Sequence, residues 1–175
     1  MAGGKEKRGV EQTGNQLVIT REFNSPRALV FKAWTERERL EQWWGPKGFT
    51  MLTGTLHLRA GGAYHYGMRS PAGQEMWGKL VYREVVPPER LVFVSSFSNA
   101  QGELIRHPMA PVWPVEILNI LTLTEKDGKT TLTLRGSPIN ASEEERKAYE
   151  SAFQSIQQGF KGSLDQLEGY LAVAK

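Results

Sequence analysis

Three histidines, His57, His65 and His107, are the side chains of this 175-residue chain best suited to hold a metal or to move a proton near neutral pH. His57 and His65 lie symmetrically about Gly61-Gly62, which makes them candidate cross-strand neighbours. With His107 they suggest zinc, but no cysteine or carboxylate completes a ligand set at suitable spacing, and strand alternation turns His65 away from the larger apolar residues. We expect no metal, with two surface histidines and one in a loop. Acid–base work would need paired carboxylates or a positioned histidine in a cleft. The strand carboxylates are Glu75, Glu84 and Glu116, and Glu116 has the opposite parity to Asn119, which directs it to solvent. The chain has no cysteine, hence no thiol nucleophile and no disulfide. It has no nucleophile elbow and no phosphate loop, and Gly61-Gly62 reads as a turn. No catalytic residue is nominated and no cofactor is expected.

Binding chemistry is better supplied. Alternation puts Tyr64, Tyr66 and Met68 on one face of a strand, with Ala63, His65 and Gly67 on the other. Phe93, Ser95 and Phe97 alternate similarly, as do Leu132 and Leu134, and Val115, Ile117, Asn119, Leu121 and Leu123 share a face. Most of these residues read as core. The polar groups among them, Tyr64, Tyr66 and Asn119, with Gln157 farther on, could orient a ligand or hydrogen-bond one another and close the site. Candidate walls and gates are Trp44, Met68, Trp77, Phe93 and Phe97, then Trp113, Phe153 and Phe160. In Trp43-Trp44-Gly45-Pro46, two exposed indoles would be costly; one is expected to pack under the sheet rim and the other to line a mouth or meet a protein partner.

The elements that must position these residues follow from periodicity. Tyr149, Phe153, Ile156, Phe160, Leu164, Leu167 and Leu171 recur at steps of three or four, the spacing of one helical face. Ser142 and Glu145 form a capping box, so a long helix is expected over 142–175. Gly159 and Gly162 weaken it by about 1 kcal/mol each relative to Ala, and suggest close backbone approach or a bend that leaves volume. Leu17 to Phe23 has strand composition. Ser25-Pro26 then starts a helix running to Trp34, with Ser25 as its cap, and Thr35 with Glu38 caps a second one that stops before Gly45-Pro46. Strands are expected over 50–58, 63–69, 75–86, 90–98, 115–125 and 130–136, with a proline-rich loop over 99–114. Hairpin connections imply an antiparallel sheet, and helices on one face of it make the α+β class. Seven strands curving around one helix leave space at the wide end.

At 39% hydrophobic and 23% charged, the chain has the composition of one soluble globular domain, expected over residues 16–175. Residues 1–15 are Gly-, Lys- and Glu-rich and are expected to form a disordered tail. A net charge of +3 without a basic stripe argues against nucleic acid. No apolar run spans a membrane and no secretory core is present, so the cytoplasm is the default.

Several motifs resemble one family in order. Arg21-Glu22-Phe23-Asn24-Ser25-Pro26 followed by Val30-Phe31-Lys32-Ala33-Trp34-Thr35 is similar to the opening of the heat-shock-protein-90 ATPase activator homologue family. Leu40-Glu41-Gln42-Trp43-Trp44-Gly45-Pro46, Leu58-Arg59-Ala60-Gly61-Gly62 and Pro87-Pro88-Glu89-Arg90-Leu91-Val92-Phe93 continue it. Arg106-His107-Pro108-Met109 with Trp113-Pro114 resembles a common bacterial branch. The resemblance covers Leu17 to Leu171 and implies the helix-grip fold of the SRPBCC (START-like) superfamily, with a hydrophobic pocket between sheet and last helix. His57 departs from the aspartate often found there. Superfamily members bind lipids, hormones or polyketides and a few are cyclases or hydrolases. The resemblance therefore leaves three expectations open: binding of a small hydrophobic or aromatic ligand, an enzyme using the same cavity, or a chaperone-regulator-like interaction module.

Overall fold

The computed structural model describes residues 16–174, and the expected N-terminal tail lies outside them. Seven strands form one sheet: β1 (Leu17–Phe23), β2 (Thr50–Leu56), β3 (Ala63–Arg69), β4 (Glu75–Val86), β5 (Arg90–Ser98), β6 (Glu116–Lys126) and β7 (Lys129–Ile139). Their order is β1-β7-β6-β5-β4-β3-β2, and every neighbouring pair is antiparallel. From β2 to β7 each strand pairs with the next in sequence, as hairpin connections dictate. β1 reaches the far edge because α1 (Arg27–Thr35) and α2 (Arg37–Trp43) carry the chain across the sheet before β2 begins. α3 (Glu143–Ser151) and α4 (Phe153–Val173) complete the α+β helix-grip fold.

The period-2 pattern of the strands meets the 3.6-period stripe of the last helix in one core. Leu80, Tyr82, Leu121, Leu132 and Leu134 are buried together with Leu164, Leu167 and Leu171 of α4 and with Trp34 and Trp43 of the short helices. The backbone of α4 runs close to α1, α2 and β1. Arg21 of β1 clasps it through Asp165 at 2.6 Å and Glu168 at 2.8 Å.

Three local expectations are corrected. Ser25 does not cap α1: Pro26 holds the cap position without a side-chain bond, and the Arg27 amide donates instead to the Glu125 carboxylate of β6 at 2.8 Å. Thr35 does not cap α2, because its hydroxyl bonds back to the Phe31 carbonyl at 2.7 Å. The long C-terminal helix is present as α4, but the span expected for it holds two helices. The box of Ser142 and Glu145 caps α3 as expected, but the helix breaks at Ala152, with φ −99° and ψ 5°. Ser151 Oγ donates to the Ala148 carbonyl at 2.9 Å, which is the acceptor the Ala152 amide would use in a continuous helix, and that amide turns to Tyr149 at 3.1 Å. Strand ends shift by one to three residues: β2 stops at Leu56 and β7 runs on to Ile139.

Candidate functional site

The mouth of the sheet is built where α2 ends. The Trp44 amide closes the last turn on Leu40 at 2.8 Å, and Gly45 then takes φ +105°, a conformation that L side chains rarely adopt. The Gly45 carbonyl accepts from Ser163 Oγ at 3.0 Å and Gln166 Nε2 at 2.8 Å, so α4 fixes the chain end that carries Trp44. Trp43 is 1% exposed and donates its indole N–H to the Ala33 carbonyl at 2.9 Å. Trp44 packs edge-on against Trp34, Trp43 and Tyr66. The pair therefore divides as expected between core and mouth. Trp43 is buried, while Trp44 is half-buried against neighbouring rings.

Two adjoining chambers open on the sheet, one against α4 and the other against the loop before β6. One, of about 320 Å³, is bounded by Trp44, Gly45 and Pro46 on one side and by Ile156, Gly159, Phe160 and Ser163 of α4 on the other. The second, of about 150 Å³, has Gly78, Ser95, Ser96 and Ile117 on the sheet side and Trp113, Pro114 and Val115 from the loop before β6. Tyr66, Met68, Met76 and Phe97 border both, so the chambers adjoin. The Tyr66 ring lies over Gly78: a Cβ there would sit 2.4 Å from its hydroxyl oxygen, so glycine is what allows the ring its place. Burial pushes the Tyr66 phenol above its usual range, opposed by the Trp44 indole N–H, which approaches the hydroxyl as a donor.

The loop over 99–114 walls the smaller chamber because Arg106 organises it. Its guanidinium donates to the carbonyls of Pro111 at 3.3 Å and Trp113 at 3.4 Å, and to Glu145 at the start of α3 at 2.6 Å. His107 packs edge-on between Phe97 and Trp113, and Trp113 leans on Tyr149. The Arg106 bond, then the Ser142 backbone bond, hold the Glu145 carboxyl below its ordinary value.

Of the twelve residues singled out from the sequence, Trp44, Tyr66, Met68, Phe97, Trp113 and Phe160 border the chambers. Trp77 also borders the smaller one, but its ring sits over Gly67 and stacks on His65, on the face of the sheet opposite Tyr66. Tyr64 and Phe93 are buried in the main core, and Phe153 packs on Tyr149 in a smaller cluster. Asn119 is buried below the chamber floor and donates to Ser95 Oγ and to the Ile117 carbonyl, both at 3.0 Å. Gln157 is exposed and borders neither chamber. Alternation alone could not separate wall from core, because both lie on the same face. Ser95, Met76 and Gly78 were missed as wall residues; the shared face of Phe93, Ser95 and Phe97 was the available signal for Ser95.

The histidines do not converge. His57 is exposed, and its amide pairs with the Ala63 carbonyl, while His65 stands opposite Thr55, so the cross-strand pairing of the two is corrected. His65 is half-buried, with Nε2 3.1 Å from the Asn99 carbonyl. No group of three metal-ligating side chains occurs among the described residues.

A family model described as activator of Hsp90 ATPase homolog 1-like protein matches residues 24–172. The chain belongs to that family. Solved structures of similar fold include protein Ms6760 from Mycobacterium smegmatis, at 25% identity and a TM-score of 0.73 over 91% of this chain and 92% of that one. Protein NE0264 from Nitrosomonas europaea is 25% identical with a TM-score of 0.71, over 90% and 94% of the two chains. A Staphylococcus epidermidis protein is 26% identical with a TM-score of 0.69, over 94% and 93%. No curated protein matches the chain. This activator-homologue domain shares the helix-grip architecture of SRPBCC-type proteins, and among its described residues no helix is long and apolar enough to cross a membrane.

Proposed function

We propose that this protein binds a hydrophobic or amphipathic small molecule, non-covalently, in the adjoining chambers, chiefly the one between the sheet and the C-terminal helix. The observation that carries the reading is the larger chamber, where Trp44, Phe97, Ile156 and Phe160 present apolar surface around about 320 Å³, a volume at the lower end of the range of small-molecule pockets. Such walls contribute about 25 cal/mol for each Å² of apolar surface they remove from water. Use of the cavity by an enzyme has less support: the wall residues include no histidine or carboxylate, and the raised phenol of Tyr66 is a poor proton acceptor. The test is native mass spectrometry of protein purified from its own host. A retained small molecule that is lost in Phe160→Trp, which fills the chamber without emptying the core, is the expected result. Retention undiminished in Phe160→Trp would remove the site from consideration.

A further inference from the structure

Resting on that binding reading, the chamber walls carry information about the ligand itself. Among the described residues that border the two chambers, none is Asp, Glu, Lys, Arg or His. A charged group moved from water into such surroundings would lose its hydration with no counter-charge to replace it. The polar side-chain groups that are present are the hydroxyls of Tyr66, Ser95, Ser96 and Ser163 and the indole N–H groups of Trp44, Trp77 and Trp113. Ser163 is committed to the Gly45 carbonyl and Ser95 accepts from Asn119. Tyr66 differs. Among the described residues no group accepts its O–H. The hydroxyl lies over Gly78, a wall residue of the smaller chamber, while its ring borders both chambers.

We infer that the ligand is an uncharged molecule with an aromatic or otherwise flat apolar body in the Trp44–Phe160 chamber and a neutral hydrogen-bond acceptor, of the carbonyl type, placed on the Tyr66 hydroxyl where the chambers adjoin. Against these walls an anionic group meets no cation, so fatty acids, phosphates and other anions are disfavoured wherever their charge would sit inside the chambers. Cations are selected against by the absence of a carboxylate. Tyr66 sets orientation, and Gly78 keeps its hydroxyl in position.

Three probes of one shape separate the parts of this inference: 2-acetylnaphthalene (neutral, with acceptor), 2-ethylnaphthalene (neutral, without acceptor) and 2-naphthoate (anionic at neutral pH). Binding is read by quenching of tryptophan fluorescence and by calorimetry, on wild type and Tyr66→Phe. Wild type should bind the acetyl compound about 3- to 10-fold more tightly than the ethyl compound, the worth of one hydrogen bond, and the naphthoate at least about 10-fold more weakly than either. Tyr66→Phe should bring the acetyl compound down to the ethyl compound and leave ethyl binding unchanged. Naphthoate bound as tightly as the neutral probes overturns the neutral-ligand inference. An acetyl preference that survives in Tyr66→Phe overturns the role of that hydroxyl. Both results leave the cavity reading standing. If no probe binds and native mass spectrometry retains nothing, the cavity reading fails and takes this inference with it.

Discussion

At the scale of single residues, packing around glycine and buried phenols makes sharp predictions. A Cβ on Gly62 would lie 2.1 Å from the His57 carbonyl oxygen, a backbone atom fixed by the hairpin, whereas a Cβ on Gly61 meets nothing within 4 Å and carries only the strain of φ +85°. Gly62→Ala should therefore destabilise by about 3 kcal/mol or more, at the top of the overpacking range, and Gly61→Ala by about 1–2 kcal/mol; urea unfolding of the two variants compares them, and equal losses would contradict the geometry. The hydroxyls of Tyr64 and Tyr82 are buried with no hydrogen-bond partner among the described residues. Burial pushes both phenols far up, so they remain protonated. Removing an unpaired buried hydroxyl forfeits no internal bond, so Tyr82→Phe should leave the melting temperature unchanged or raise it. A clear fall would reveal a bond that these contacts do not contain. Glu145 supplies the pH test. Its folded pKa is depressed, so its stabilisation is present above the ordinary value of 4.5 and is lost as pH falls through the lower folded one. Glutamine keeps the capping-box acceptor but not the charge. The melting temperature of Glu145→Gln should lie below wild type at pH 6 and converge with it as pH drops below 4.5; a gap that persists in acid would show that charge is not what Glu145 contributes.

At the scale of elements, α4 has two characters. Its C-terminal half is bonded and packed: Leu167 is fully buried, and Gln166 and Ser163 tie it to the end of α2. Its N-terminal half carries Ile156, Gly159 and Phe160 along the larger chamber. Leu167→Ala should cost about 2–5 kcal/mol, while Arg21→Ala, which removes an exposed clasp to the same helix, should cost no more than about 1 kcal/mol. Chemical denaturation ranks the two, and a larger loss for Arg21→Ala would mean that charge rather than burial seats the helix. The glycines of α4 do not serve close approach, since a Cβ at Gly159 or Gly162 meets nothing within 4 Å. Gly162→Ala should therefore stabilise the domain by up to about 1 kcal/mol, the propensity difference; a loss would point to a constraint outside these contacts.

At the scale of the whole molecule, the unequal halves of α4 explain why a closed sheet–helix core coexists with a cavity. Near β1 and the short helices, the helix backbone comes close and leucines fill the gap. Toward β3, β4 and β5, aromatic side chains span the remaining distance and leave two chambers around Tyr66. The loop that covers the smaller chamber is held from outside the sheet, by Arg106 on Glu145. Binding in the chambers and stability of the core should consequently be separable: Phe160→Trp is expected to abolish ligand retention while changing the melting temperature little, and coupled loss of both would show the cavity wall to be part of the core. The order of strands, the hairpins and the inward stripe of α4 were legible because each follows from local periodicity and turn chemistry. The assignments of Phe93 and Gln157 to a site were not, since the same periodicity marks a filled core, a cavity wall and a rim.

The amino-acid sequence by itself determined the α+β class, the antiparallel hairpin succession, the face each strand turns inward and the family, because these depend on side-chain period and on motifs read along one chain. Only the tertiary structure decided that Glu125 caps α1, that Ala152 breaks the last helix, that Trp77 stacks on the outer face and that Tyr66 stands where two uncharged chambers meet. Those facts depend on distances between residues far apart in sequence, and such distances are set by how the whole sheet curves against its helices.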